Sequence, residues 1–556
     1  MRKNILALSI AAMVGSLGLV GAASAAVITT STVVANPTAD AFVVSPNGIG
    51  HVLLVPYYTV QNGNNTLLSI VNTDTLNGKV VKVRFRGASN SDDVFDFQIF
   101  MSPGDIWNAN VHINSEGKAE LFTADKSCTL PTSVNQGFVT DRLPSTYSVT
   151  DKNKQTLEGY IEILNTADVP KAKFAAQANL TGTDNPLYTA IKHVNGVAPC
   201  TQAILDLTAV DPTTHSAVVD LATNAAYQGM TFPTTGLLAN WTIINVPGAT
   251  TWTGEATAVV AATTATTTAA AGNLVFHPQT NDPVADPEVR TADPLLAAGN
   301  TVVNNLGVAT GAAVTGAANT PATVGIVPAS MFDFPDLSTP YVVRPAVAAT
   351  APKVQAAALT GSLAVSEVKN EYLTNPGITA ETDWVFSSPT RRYTVAVDYS
   401  TAPFRRVFSA YGAAASQYFY DLNTLFDAAS GQVCVLNVTP KPYDAEERTP
   451  TAGVGFVISP GGQAAPLTFC GEVSVLSFNN AAGTSVLGAA LARKDIDVTY
   501  TDGWLSIATP GNAGIGLPIL GASFEKAFNT SVSPGIAGNY GLTFGHRFTR
   551  PAGFLF

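Results

Sequence analysis

Charge is scarce in this chain. Only 12% of its 556 residues are Asp, Glu, Lys or Arg, and Lys and Arg nowhere gather into a run. An acidic chain without a basic patch repels phosphate backbones, which removes nucleic acid from the candidate partners. Cysteine is rarer still, and no CxxC or Cys/His spacing marks a zinc or redox centre. The histidines His51, His112, His193, His215, His277 and His546 stand singly. HExxH, GxSxG and phosphate-loop motifs are all missing, so the common hydrolase and nucleotide signatures are absent. A triad assembled from distant residues stays open, but a non-enzyme is the expectation. Helical periodicity is also thin, with "SQYFYDLNTLFDAA" (416–429) its best example.

What is present begins at the N-terminus, "MRKNILALSIAAMVGSLGLVGAASAAVITT". Arg2 and Lys3, an apolar run to Val20 and the small residues Ala23-Ser24-Ala25 predict a secretory leader over 1–25. After that run no stretch is long and apolar enough to span a bilayer as a helix. Without Arg2 and Lys3, 27 of the 29 Lys and Arg remain against 40 Asp and Glu, a net charge near −13. In an exported chain four cysteines suggest two disulfides with three possible connectivities. Cys128–Cys200 and Cys434–Cys470 are favoured because each pair lies within one half of the sequence.

Period-2 alternation dominates. In "KVVKVRFRG" Val81, Val83 and Phe85 share one face, and Lys82, Arg84 and Arg86 the other. In "VFDFQIFM" Phe95, Phe97, Ile99 and Met101 oppose Asp96 and Gln98. Residues 50–111 read as a β-meander, with a turn at "QNGNN", a hairpin turn at Asn77-Gly78 and a type II turn at "SPGD" (102–105). Further strand-like runs lie at 157–165, 240–246, 391–399, 432–438, 471–478 and 495–508, with Asp502-Gly503 in a turn position. Many short strands predict an all-β fold of antiparallel β-sandwich domains, of Ig-like or jelly-roll type, with long Ala/Thr/Gly-rich loops. The expected division is an N-terminal β-sandwich domain over 26–250, an Ala/Thr/Gly-rich insertion over 251–330 and a C-terminal β domain over 331–556.

Two segments concentrate charge. In 80–107, Arg84, Arg86, Asp92, Asp93, Asp96 and Asp105 lie close together. Cross-strand pairing on a solvated face explains the arginines and Asp96 without chemistry. Asp92 and Asp93 in the connecting turn are candidate calcium ligands, because hard cations seek clustered oxygens. "NDPVADPEVRTADP" (281–294) adds Asp282, Asp286, Glu288 and Asp293 as a second candidate calcium set. "YDAEERTP" (443–450) reads as a charged turn. Trp107, Trp241, Trp252, Trp384 and Trp504 adjoin strand runs and are expected in the core. Were they exposed, they would serve a secreted protein that binds or degrades a carbohydrate or a hydrophobic substrate.

Four blocks together, "GHVLLVPYYTVQNGNNTLLSIVNTD", "VKVRFRGASNSDDVFDFQIFMSPGDIW", "FDFPDLSTPY" and "EYLTNPGITAETDWVFSSPTRRYTV", spread over most of residues 48–400. They resemble a group of secreted proteobacterial cell-surface proteins, some of them surface-layer-like. The resemblance implies a structural role at the cell envelope and no catalytic residue. The resulting expectation is an exported protein that self-assembles on the bacterial surface. Its partners are further copies of itself and the envelope, and calcium bridges its carboxylates.

Overall fold

The computed structural model describes residues 37–140, 146–208, 225–263, 268–276, 358–391, 403–408, 429–446, 467–479, 486–498, 500–511 and 514–551, with a few isolated residues and short strand pieces between them. The leader 1–25, the acidic segment 281–294 and the tract 295–330 lie outside the described residues. Antiparallel β-sheets dominate, and they stack face to face as sandwiches.

The N-terminal half supplies β1 (Ala41–Val44), β2 (Val52–Thr59), β3 (Asn64–Asn72), β4 (Gly78–Gly87), β5 (Asp93–Met101), β6 (Ile106–Ile113) and β7 (Ala119–Phe122). There follow β8 (Cys128–Leu130), β9 (Gln136–Gly137), β10 (Glu158–Val169), β11 (Leu237–Asn245), β12 (Thr250–Glu255) and β13 (Thr257–Ala262). Seven strands form one sheet in the order β1-β13-β2-β10-β4-β5-β8, and six form the facing sheet, β9-β7-β6-β3-β11-β12. The Ala/Thr-rich run from 256 therefore contributes an interior strand, β13, hydrogen-bonded to β1 and β2.

This order corrects the meander reading. β3 pairs with β6 and β11, while β4 pairs with β5 and β10, so the chain crosses between sheets after β2, β3 and β5. Asn77-Gly78 is not a hairpin turn, and neither residue takes positive φ. Asp74 Oδ1 instead accepts the Leu76 and Asn77 N–H groups and turns the chain over the sandwich edge. At "SPGD" the expected turn does form. Gly104 has φ 71° and the Asp105 N–H donates to Ser102 O at 3.1 Å.

The C-terminal half supplies β14 (Glu367–Leu373), β15 (Glu381–Ser387), β16 (Thr424–Asp427), β17 (Gln432–Asp444), β18 (Leu467–Cys470), β19 (Val473–Phe478) and β20 (Arg493–Ile496). It ends in β21 (Asp502–Ala508), β22 (Ala522–Ser533), β23 (Ile536–Gly545) and β24 (Arg547–Thr549). One sheet runs β16-β17-β21-β14-β24 with β18 on β17, and the other runs β20-β19-β15-β22-β23. Only β19 and β20 among these pair in parallel. Part of the expected helix at 416–429 is strand β16, and 416–423 lie outside the described residues. Gly503 lies inside β21 opposite Tyr372 and Asp444, so Asp502-Gly503 is strand rather than turn.

The core crosses the halfway point of the chain. Phe85, Phe95 and Phe97 from the first sheet and Ile70, Trp107 and Trp241 from the second share one cluster with Val385, Val473, Val475 and Phe524. The sheet containing β15 thus buries one face on the N-terminal sandwich. Its other face, with Trp384, Phe386 and Phe478, packs on Val368, Leu505 and Ile507. Four of the five tryptophans are buried, and Trp504 is 37% exposed, stacked on Tyr443 at 4.1 Å. Cys128 bonds Cys200 and Cys434 bonds Cys470.

Candidate functional site

The charged stretch 80–107 does not face water. Lys82 and Arg84 are fully buried, Arg86 is 2% exposed, and Asp92 and Asp93 are 6% exposed. The alternation of β4 places these side chains together on the face opposite the aromatic core, as the sequence implies. Segments of the C-terminal half then cover that face. Tyr160 on β10 donates its hydroxyl to Pro389 O at 3.4 Å, and the Glu472 and Val473 N–H groups donate to Ala88 O. The expected solvated face is therefore corrected to a buried one, because a cover as distant in sequence as Pro389 is from Tyr160, 229 positions, has no local sequence signal.

Burial forces the charges to pair. Arg86 Nε lies 3.2 Å from Glu162 Oε2 on β10. Asp93 Oδ2 lies 3.8 Å from Arg84 Nε and 3.9 Å from Arg86 Nη1. Lys82 pairs with Asp96, which lies opposite Arg84 across the strands, and loss of hydration lowers the Lys82 ammonium below its ordinary range. On the same strand Lys79 holds Asp168 at 2.8 Å and Asp74 at 3.2 Å. Arg391 is buried too, donating to Val433 O at 3.2 Å, and burial lowers it to about 10. Asp93 thus faces two guanidinium groups, an environment that already neutralises a carboxylate. Asp282, Asp286, Glu288 and Asp293 lie outside the described residues. Among the described residues no group of three or more His, Cys, Asp or Glu is arranged to hold a metal ion.

Asp105 belongs to a different constellation that the sequence did not reveal. Its Oδ2 lies 3.5 Å from His193 Nδ1, and Ser102 Oγ lies 3.2 Å from the same nitrogen. A charge relay needs Ser and Asp on opposite ring nitrogens, so this trio lacks relay geometry. The Ser127 hydroxyl donates to Asp105 at 3.2 Å, and burial raises the carboxyl. In the 443–450 stretch, Asp444 is buried and accepts the Glu446 N–H at 2.9 Å.

A second place has room for a ligand. A cleft of about 420 Å³ opens between the two halves. One wall is the end of β1 with Pro46, Gly48 and the β12–β13 corner, and the other is Leu363 to Val368 with Phe548 and Arg550. Trp241 lies beneath, its indole N–H donating to Glu255 O at 3.3 Å and its ring 5.6 Å from Phe524. His546 also lines the cleft, with Nε2 2.9 Å from Val385 O and Nδ1 3.0 Å from Asn370 Nδ2. Burial lowers His546 to about 3, so its ring is neutral. No sequence motif pointed to this cleft, because its residues come from stretches far apart in the chain, from Val44 to Arg550.

No family model, curated protein or solved structure matches the chain.

Proposed function

We propose that this chain is an exported structural protein that self-assembles on the bacterial cell surface. One observation carries the reading. The β22–β23 hairpin, turned by Pro534-Gly535, exposes Val532 (48%), Ile536 (56%), Tyr540 (51%) and Leu542 (47%). The same molecule buries Lys79, Lys82, Arg84 and Arg86 on its first sheet while leaving these apolar side chains in water. An apolar arm that seats on a different patch of the next copy makes a contact that repeats instead of closing, which yields a filament or lattice. The leader-like N-terminus and two disulfides support export to an oxidising compartment. The calcium part of the proposal falls on 281–294, since Asp93 is engaged with arginines.

Electron microscopy and sedimentation of the purified full chain, with and without calcium, test this. Ordered sheets or filaments are expected from the parent chain. Tyr540→Ser with Leu542→Ser should fold with an unchanged melting temperature and remain monomeric. A parent chain that stays monomeric at high concentration with calcium present overturns the proposal, and assembly indifferent to chelation removes calcium from it.

A further inference from the structure

The cleft above Trp241 carries one charge of each sign on walls that mix apolar and polar groups about equally. Its 420 Å³ falls within the range of about 300–1,000 Å³ usual for small-molecule sites. Pro46 and Pro56 on one side and Val365 and Ile519 on the other supply rigid apolar surface. Glu255, at the end of β12, is exposed on the N-terminal wall, and Arg550 is exposed on the C-terminal wall. Among the described residues neither makes a salt bridge. Arg550 gives one N–H to Ser362 O and lies 5.1 Å from the Phe548 ring centre, leaving its other donors available.

The rest of the lining narrows the ligand class. His546 is neutral with both ring nitrogens engaged, so it adds no charge. Thr543 Oγ1 is buried along this lining without a hydrogen-bond partner, a polar atom waiting for one. A fatty acid would satisfy Arg550 but set its chain against the Glu255 carboxylate. A cationic amphiphile would satisfy Glu255 and oppose Arg550. A molecule with both charges and an apolar body meets every feature. A dipeptide carries both charges at its ends, and two extended residues span about 7 Å.

We infer that this cleft binds a short apolar peptide with both termini free, its ammonium toward Glu255 and its carboxylate toward Arg550. The side chains lie on Pro46, Pro56, Val365 and Ile519, and Thr543 Oγ1 meets the peptide group. The inference rests on the cleft alone and is independent of assembly.

Calorimetric titration of the full chain with Leu-Leu, N-acetyl-Leu-Leu, Leu-Leu-amide and decanoate tests it. Leu-Leu should bind, and capping either terminus should weaken binding at least tenfold. Glu255→Gln should bind Leu-Leu and its acetylated form equally, and Arg550→Gln should do the same for the amide. Both side chains are exposed, and an unchanged melting temperature establishes that each variant is folded. Absence of Leu-Leu binding, binding indifferent to the caps, or decanoate binding as tightly as Leu-Leu overturns the inference.

Discussion

The Glu158 carboxylate accepts the Leu491 backbone N–H at 2.6 Å, across 333 residues of chain. The same oxygen accepts the Ala490 and Ala492 N–H groups at 3.0 and 3.2 Å, and Oε2 accepts the Tyr57 hydroxyl at 2.7 Å. Glu158 is fully buried, so these four donors replace its hydration. Nearby, Asn64 Nδ2 donates to Leu487 O at 2.8 Å, and the Leu487 N–H donates to Asp383 Oδ2 at 2.9 Å. The two halves are joined by polar clamps as well as by a common apolar core.

Glu158→Ala should therefore cost at least about 3 kcal/mol, because each buried donor left unsatisfied costs about 1–3 kcal/mol. Glu158→Gln keeps one acceptor oxygen and should recover part of that loss. Urea midpoints of the three proteins give the order, and hydrogen exchange should show the Ala490–Ala492 amides losing protection first.

The Arg86–Glu162 pair makes a sharper case. Arg86→Met alone strands a carboxylate that is only 4% exposed and should cost about 3–5 kcal/mol. Arg86→Met with Glu162→Leu removes both desolvation penalties and should restore much of the stability. A double-mutant cycle reads the coupling. Added salt should leave it nearly unchanged, since buried pairs are little screened.

That buried pair also marks where the sequence stops being legible. Alternation along 79–87 identifies a strand and assigns Val83 and Arg84 to opposite faces, which the structure bears out. It cannot say that the arginine face is buried too, because the cover made by Pro389 and Glu472 over Tyr160 comes from remote positions. Pro103-Gly104 was readable because its turn is decided within four residues. Asn77-Gly78 was misread because β3 and β4 belong to different sheets, a fact set by long-range pairing. The cleft was invisible for the same reason: Glu255 and Arg550 come to line one cleft only through the packing of the two halves.

Acid should weaken the fold through two histidines. Burial, reinforced by Lys79 for His51, lowers His51 and His546 from 6.5 to about 3. Between those values the unfolded chain binds protons that the folded chain refuses, so stability falls as pH falls, by about 1.4 kcal/mol per pH unit for each group. Glu525 acts in the opposite sense. Burial, then Glu371, raises it from 4.5 to about 7, so its contribution is complete below 4.5 and lost as pH rises through about 7. Urea midpoints across this window should show a shallower acid-side slope for His546→Gln. Glu525→Gln should instead gain relative stability toward neutral pH.

The disulfides should act at different places. Each closes a long loop, its partners 72 and 36 positions apart, worth about 4 kcal/mol in the chain-entropy picture. Cys128–Cys200 ties the sheet edge to the small helical annex of α1 (Pro186–Ile191) and α2 (Gln202–Thr208), whose Leu187, Ile191 and Leu205 pack on Val80 and Phe100. Cys128→Ala with Cys200→Ala should loosen that annex in hydrogen exchange before the sandwich melts. Cys434→Ala with Cys470→Ala should loosen β17 and β18 instead.

The arm's seating depends on a missing side chain. β23 lies alongside β12, with the Thr250 hydroxyl donating to Asn539 Oδ1 at 3.2 Å and Asn539 Nδ2 donating to Gly248 O. At Gly541 a Cβ would stand 2.4 Å from Thr251 O, which is backbone and cannot swing aside. Gly541→Ala should thus push the hairpin away from β12 while leaving Phe524, farther down β22, in the core. Crosslinking between cysteines placed at Thr251 and Asn539 should succeed in the parent and fail in the variant. If the arm must be held at this angle to reach the next copy, the variant should also assemble poorly at an unchanged pH–stability profile. Normal crosslinking in Gly541→Ala would show that the close approach does not set the arm's position.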